Sequence, residues 1–173
     1  MGSKAFLSHL IVFSVSLYLA FPAFAEQKMA FVDVAKVFND YQKTKDNESK
    51  LQAAGRKKEQ ERDALVYEIR RLKDEQALLA EDARNKKQEA IDAKFKELQE
   101  FDGNARKELG QQRNETVKDI FKDIDELVQR YGERKGYDII FNERVLLYRN
   151  PRFDVTVEVL EELNREYQTK KKK

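Results

Sequence analysis

The side chains of this chain that could do chemistry are carboxylates and cations strung along helix-like segments. Acidic neighbours recur at Glu59/Glu61, Glu81/Asp82 and Glu161/Glu162. Two carboxylates can hydrolyse a glycosidic bond when they face each other across a cleft in different protonation states. In a chain of which 38% is charged, however, such pairs are solvated helix faces, and no motif builds an active site around them. The basic groups Arg56-Lys57-Lys58, Arg70-Arg71 and Arg84-Asn85-Lys86-Lys87 offer contact with lipid phosphates or an acidic polypeptide.

Most other catalytic devices are missing. There is no cysteine, and the one histidine, His9, lies in an N-terminal segment with the pattern of an export leader. Lys4 precedes an apolar run from Ala5 to Ala20, then Pro22 and the Ala23-Phe24-Ala25 cleavage pattern. The run is near the short limit of about 17 to 25 residues for a membrane span, so residues 1–25 are read as a cleaved signal, with the mature chain beginning at Glu26. Without His9 that chain has no thiol, no imidazole base and no Cys/His metal site. An enzyme is therefore not expected, nor is a cofactor or a metal.

Loss of Lys4 leaves 33 of the 34 Lys+Arg against 32 Asp+Glu, a net charge of +1 (33 − 32). A nucleic-acid binder would concentrate a basic excess on one domain, so no nucleic-acid partner is expected. Residues 43–130 carry 21 basic and 21 acidic residues, a balance suited to ion-paired helices in water.

The elements that must carry these groups follow from hydrophobic spacing. Lys28 to Val34 reads as a strand with an apolar bias on both faces. From Ala35 the spacing turns helical and continues without proline to Leu79. Leu65, Ile69, Leu72, Gln76 and Leu79 step by four and three, as do Ile91, Phe95, Leu98, Asp102, Ala105 and Leu109; this is a coiled-coil seam. One straight helix from residue 35 to 135 would span about 150 Å and leave both seams in water. A reversal near Leu79 to Asp82 instead gives an antiparallel hairpin, with Glu81 and Asp82 favourable in the first turn of the second helix. In that register Gly55 falls opposite Gly103 to Ala105, and Lys58 and Arg62 interrupt the seam. Gly55 and Gly103 therefore form a candidate soft joint in the arm.

Past a helix end at Gly132 and Gly136, Tyr137–Phe141 and Val145–Tyr148 read as a strand pair around Asn142-Glu143-Arg144. Pro151 ends the second strand, and Asp154 is a candidate N-cap for a last amphipathic helix. The expected fold class is α+β, mostly helical. Residues 26–42 and 131–168 form a small β-rich head with a core at Phe31, Val32, Phe38, Ile139, Phe141, Leu147 and Leu160. Residues 43–130 form a long helical hairpin arm, and 169–173 a solvated lysine tail. So small a head, with open strand edges, is expected to oligomerise.

The opening KMAFVDVAKVFNDY (Lys28 to Tyr41), the cysteine-free helical hairpin and the closing GYDIIFNERVLLYRNPRFDVTVEVLEELN (Gly136 to Asn164) resemble the Skp/OmpH family of periplasmic chaperones. The resemblance covers about Lys28 to Asn164 and is most specific at the two strand regions. It implies an ATP-independent holdase of the periplasm, a homotrimer whose heads join in a small barrel and whose arms enclose a cavity for unfolded outer-membrane proteins. Family members are typically strongly basic, whereas this mature chain is near neutral; that departure weakens the case for electrostatic capture and leaves weak apolar contact with confinement open beside it. Tyr67, Phe95, Phe101, Arg70, Arg71, Lys86 and Lys87 are the candidate client contacts, and the basic groups also admit contact with anionic lipid or lipopolysaccharide. The rival readings are a structural or adaptor coiled coil of the cell envelope and a lipid-surface binder.

Overall fold

The computed structural model describes residues 27–172; the expected export leader, residues 1–25, lies outside the described residues. Strand β1 (Met29–Val32) leads into a short helix α1 (Val34–Asp40) and then the long helices α2 (Gln42–Ala77) and α3 (Glu81–Lys135). Strand β2 (Ile139–Asn142), two single 3-10 turns and a last helix α4 (Thr156–Lys171) complete the described chain.

The two strands are parallel, with Met29 beside Ile139 and Val32 beside Asn142. Parallel neighbours need a crossover connection, and here the whole α1–α3 excursion is that crossover. The other edge of β1 carries a single bridge to Asp154, where Val155 N–H donates to the Phe31 carbonyl at 3.0 Å. Thus β1 is the middle element of the head, which explains its unbroken apolar run: Ala30, Phe31 and Val32 are all buried.

The head core joins elements distant in sequence. Val37 and Tyr41 from the start of the chain meet Ile120, Ile124 and Leu127 from the base of α3, and Val159 and Leu163 from α4. Phe38 stacks on Phe121 with ring centres 5.0 Å apart. Gly132 allows the close approach of β2, since a β-carbon there would sit 3.3 Å from Ile140 Cδ1. Gly136, at φ 66°, takes the left-handed conformation that ends α3, and Tyr137 N–H closes the turn onto the Gly132 carbonyl at 3.0 Å.

The arm follows the seam. Its turn lies at residues 78–80, next to the expected reversal, and Glu81 and Asp82 occupy the first turn of α3. Along the seam Ile69, Ile91 and Ala105 are buried, while Leu65, Leu72, Leu98 and Leu109 are partly buried. Salt bridges cross between the helices at Glu68–Lys94 (3.0 Å), Arg62–Asp102 (3.1 Å), Lys58–Glu108 (2.8 Å) and Lys43–Asp123 (2.6 Å).

Five sequence expectations need correction. The helix expected from Ala35 to Leu79 breaks at Tyr41, whose ψ of 129° is extended. The cause is remote: the Asn164 side chain on α4 accepts from Gln42 N–H at 2.8 Å and caps α2. Val145–Tyr148 does not pair with β2. The Asn142 side chain instead accepts from Arg144 N–H and turns the chain into a 3-10 turn. In the single chain Leu147 is fully exposed and Ile139 is 42% exposed, so neither belongs to its core.

Gly55 does not face Gly103. With Lys58 on Glu108 and Arg62 on Asp102, Gly55 is level with the turn beyond Glu108, and Gly103 is level with Arg62. A β-carbon at either glycine would meet nothing within 4 Å. Finally, the lysine tail is helical as far as Lys171, whose ammonium pairs with Asp46 Oδ2 at 2.8 Å.

Candidate functional site

Three surfaces hold the side chains with which this molecule can bind something: the distal arm, the arm base and the rim of the head. The whole arm is a helix pair about 50 Å long, and its distal part has little interior. Between its tip and Ala105 only Ile69 and Ile91 are buried. Two coiled helices cover one narrow seam each, so bulky residues beyond that seam face water. Tyr67 is 70% exposed and Leu78, at the tip, 89%.

The expected contact residues divide by environment. Phe95 lies on the seam pattern yet is 43% exposed, with the Lys73 ammonium 4.8 Å from its ring centre. It belongs to a shallow concavity along one face of α3, shared with Leu98 and Arg106. Phe101 is half-buried, with Lys58 Nζ 5.6 Å from its ring centre. Arg70 and Lys86 are exposed, and neither takes part in an ion pair among the described residues. Arg71 and Lys87 both pair with Glu75. Exposed Arg84 donates to the Leu79 carbonyl in the turn at 2.8 Å and to the carbonyl of Ala77, the last residue of α2, at 3.4 Å. The basic groups are thus largely occupied within the hairpin.

Paired charges set the local ionisation. The bond from Lys87 lowers the Glu75 pKa, and the bond to Glu108 raises that of Lys58. The acidic pairs of the sequence do not converge: Glu59, Glu61, Glu81 and Asp82 are exposed, and Glu162 is held by Arg134 at 2.6 Å.

At the arm base a network ties α4 to both arm helices. Asp46 receives Lys171, the Gln42 side chain and the Tyr167 hydroxyl, the last at 3.0 Å. These bonds hold its carboxyl down at about 2. Tyr167 meets Tyr41 edge to face at 5.9 Å, and the Tyr41 hydroxyl donates to Asp123, which also takes Lys43. Burial, then the nearby Asp123 charge, pushes the Tyr41 phenol well above its usual range. No sequence pattern marked this network, because its members come from three helices.

The head rim is apolar and open. Met29 and Ile139 at the strand ends, and Val145, Leu147 and Tyr148 in the segment after β2, are exposed. Phe31, Val32, Phe38, Phe141 and Leu160, expected in the head core, are buried or half-buried.

Known proteins resolve what this architecture is. The sequence pattern of the family described as outer membrane protein (OmpH-like) matches residues 28–163, most of the chain. The chain belongs to the OmpH-like family. The resemblance drawn from the two strand regions is thereby shown, as is the mostly helical α+β fold. In three dimensions the chain is similar to the crystal structure of an OmpH-like protein from Caulobacter crescentus CB15, named there as a candidate outer membrane chaperone. The TM-score is 0.69 at 17% identity, covering 82% of this chain and 86% of that one. At that identity the likeness speaks for the fold. No curated protein matches the sequence. The family is one of chaperones rather than enzymes. Among the described residues, no helix is long and apolar enough to cross a membrane.

Proposed function

We propose that this protein is an ATP-independent holdase of the periplasm, which binds unfolded outer-membrane proteins between helical arms and keeps them from aggregating. The observation that carries this reading is the hairpin itself. A spacer would need only solvated faces, but this arm leaves Tyr67, Leu78 and Phe95 in solvent beside charged neighbours. Such scattered apolar groups hold an unfolded chain by many weak contacts without imposing a conformation on it. Family membership supports the chaperone class.

Capture from a cavity requires several arms, and the head rim supports a homotrimer. Exposed Met29, Ile139, Val145, Leu147 and Tyr148 form an apolar edge around a two-stranded sheet, which a neighbouring copy would cover. Export precedes this assembly in the proposal, with cleavage before Glu26. Adaptor and lipid-binding roles gain less support, since Arg71, Arg84 and Lys87 are committed to contacts within the arm.

The deciding experiment dilutes an unfolded outer-membrane β-barrel from urea and follows its aggregation by turbidity. Stoichiometric suppression without ATP is expected; an unchanged rate sinks the holdase reading. Light scattering of the same preparation should report three chains, and a stable monomer would remove the cavity. Mass spectrometry should find Glu26 at the N-terminus.

A further inference from the structure

The two arm helices enter the head in different ways. Helix α3 runs unbroken from Glu81 to Lys135 and carries the arm into the head as one rod. Helix α2 enters through a single extended residue, Tyr41, at ψ 129°, and one such residue at the end of a helix is a swivel. Nor does packing fix the lower part of α2. Between Thr44 and Ile69 α2 buries no side chain, and between Ala105 and Ile120 α3 buries none. Over that stretch a cleft lined by Leu51, Val117 and Ile120 lies between the helices.

The lower part of α2 is held instead by the end of α4. The Asn164 side chain accepts from Gln42 N–H at 2.8 Å, and Asp46 accepts from the Tyr167 hydroxyl at 3.0 Å and from the Lys171 ammonium at 2.8 Å. The same stretch of α4 is also pinned to α3, with Glu166 on Arg130 at 2.9 Å. Past Leu163, however, α4 buries no side chain. Its first half is anchored in the head core by Val159 and Leu163. Its second half rests on polar contacts, with the Lys171 side chain 59% exposed. Exposed ion pairs contribute little and are screened by salt, so residues 164–171 can lift away while the core of the head stays closed.

We propose that residues 164–171 are a strap whose closing fixes the lower part of α2 against the head and whose opening frees it. With the strap open, α2 keeps near the head its bonds to Asp123, from Lys43 at 2.6 Å and from the Tyr41 hydroxyl at 3.3 Å, both at the swivel. It pivots there while α3 stays in place, and the base of the arm widens with no change in the head core. Salt is the lever, because the strap is closed by the Lys171–Asp46 and Arg130–Glu166 ion pairs. The strap acts alike on a holdase arm or on a spacer, and so goes beyond the reading above.

The test exploits a chain without cysteine, in which spin labels attach only where cysteines are introduced. Gln52 on α2 and Gln111 on α3 are exposed, and each is paired in turn with a label at exposed Glu158, in the anchored half of α4. Labelled chains of the exported protein are diluted into unlabelled ones, so that distances within one chain are read. From low to high salt the Gln52–Glu158 distribution should broaden toward longer distances, while the Gln111–Glu158 distribution stays fixed. Asp46→Asn removes the charge that Lys171 meets, and should broaden the first distribution already at low salt. In hydrogen exchange read by mass spectrometry, the same variant should open residues 164–171 about two- to fivefold more often and leave residues 156–163 unchanged. Two distributions that widen together would mean that the arm bends as one body. A Gln52 distribution unchanged in salt or in Asp46→Asn would mean that the strap holds nothing. Either result overturns the proposal, as does loss of protection through all of α4, which would be unfolding of the helix rather than release of its end.

Discussion

Replacing Ile91 by alanine should loosen the distal arm and leave the head intact. Ile91 is 1% exposed and Ile69 4%, and these two side chains are the whole buried content of the arm beyond Ala105. Truncating a buried isoleucine in a full core costs about 2–5 kcal/mol. In so thin a seam the lower part of that range, about 2–3 kcal/mol, applies, because neighbouring side chains can close over the gap. The flanking ion pairs cannot compensate. Glu68–Lys94 and Glu75–Lys87 are partly exposed, and such pairs contribute about 0.2–1 kcal/mol each. Hydrogen exchange read by mass spectrometry on Ile91→Ala should show peptides from residues 60–100 opening about 30- to 150-fold more often. Peptides from the head, where Leu127 and Val159 are fully enclosed, should keep their protection. Equal loss in both regions would mean that arm and head unfold as one unit. No loss in the arm would mean that the ion pairs hold it. Either result refutes the account of the arm as a separately yielding element.

Three further outcomes follow from particular contacts. Gly55→Ala with Gly103→Ala should stabilise the arm by about 1–2 kcal/mol in sum, since the added β-carbons meet nothing within 4 Å; if the glycines form a joint, distances between spin labels near Asn85 should also narrow. Asn164→Ala removes the acceptor of Gln42 N–H and should cost about 1–2 kcal/mol in denaturant unfolding, with an unchanged midpoint counting against its capping role. Asp46 is a carboxylate with a lowered pKa, so its stabilising bonds are fully present above pH 3.8 and are lost as pH falls through about 2. The end of α4 should therefore loosen over that interval in amide exchange, and Asp46→Asn should abolish the pH step.

Periodicity made the arm legible, because a coiled-coil seam is written locally: each of Leu65, Ile69, Leu72, Ile91, Leu98 and Leu109 is less exposed than its polar neighbours. The turn at residues 78–80 and the left-handed Gly136 were legible for the same reason, since caps and turn conformers depend on the nearest few residues. Of the candidate contacts, the exposure of Tyr67 could be read from its place off the seam, whereas Phe95 sits on the seam and is nonetheless exposed.

What the sequence determined by itself was thus the element types, the hairpin, the near-neutral charge and, through the two strand regions, the family. Tertiary structure decided whatever depends on partners distant along the chain. The parallel pairing of β1 with β2 replaced an expected hairpin between neighbours. A bond from Gln42 N–H to the Asn164 side chain broke a helix that every local signal would continue, and Asp46 drew the lysine tail into a helix that sequence alone would leave in solvent. Thr44 carried no signal at all, since its burial arises only from the packing of α2 against α3 and the head. Local propensity sets what a segment can form, but the closing contacts are between residues up to 125 positions apart, and no window along the sequence contains both.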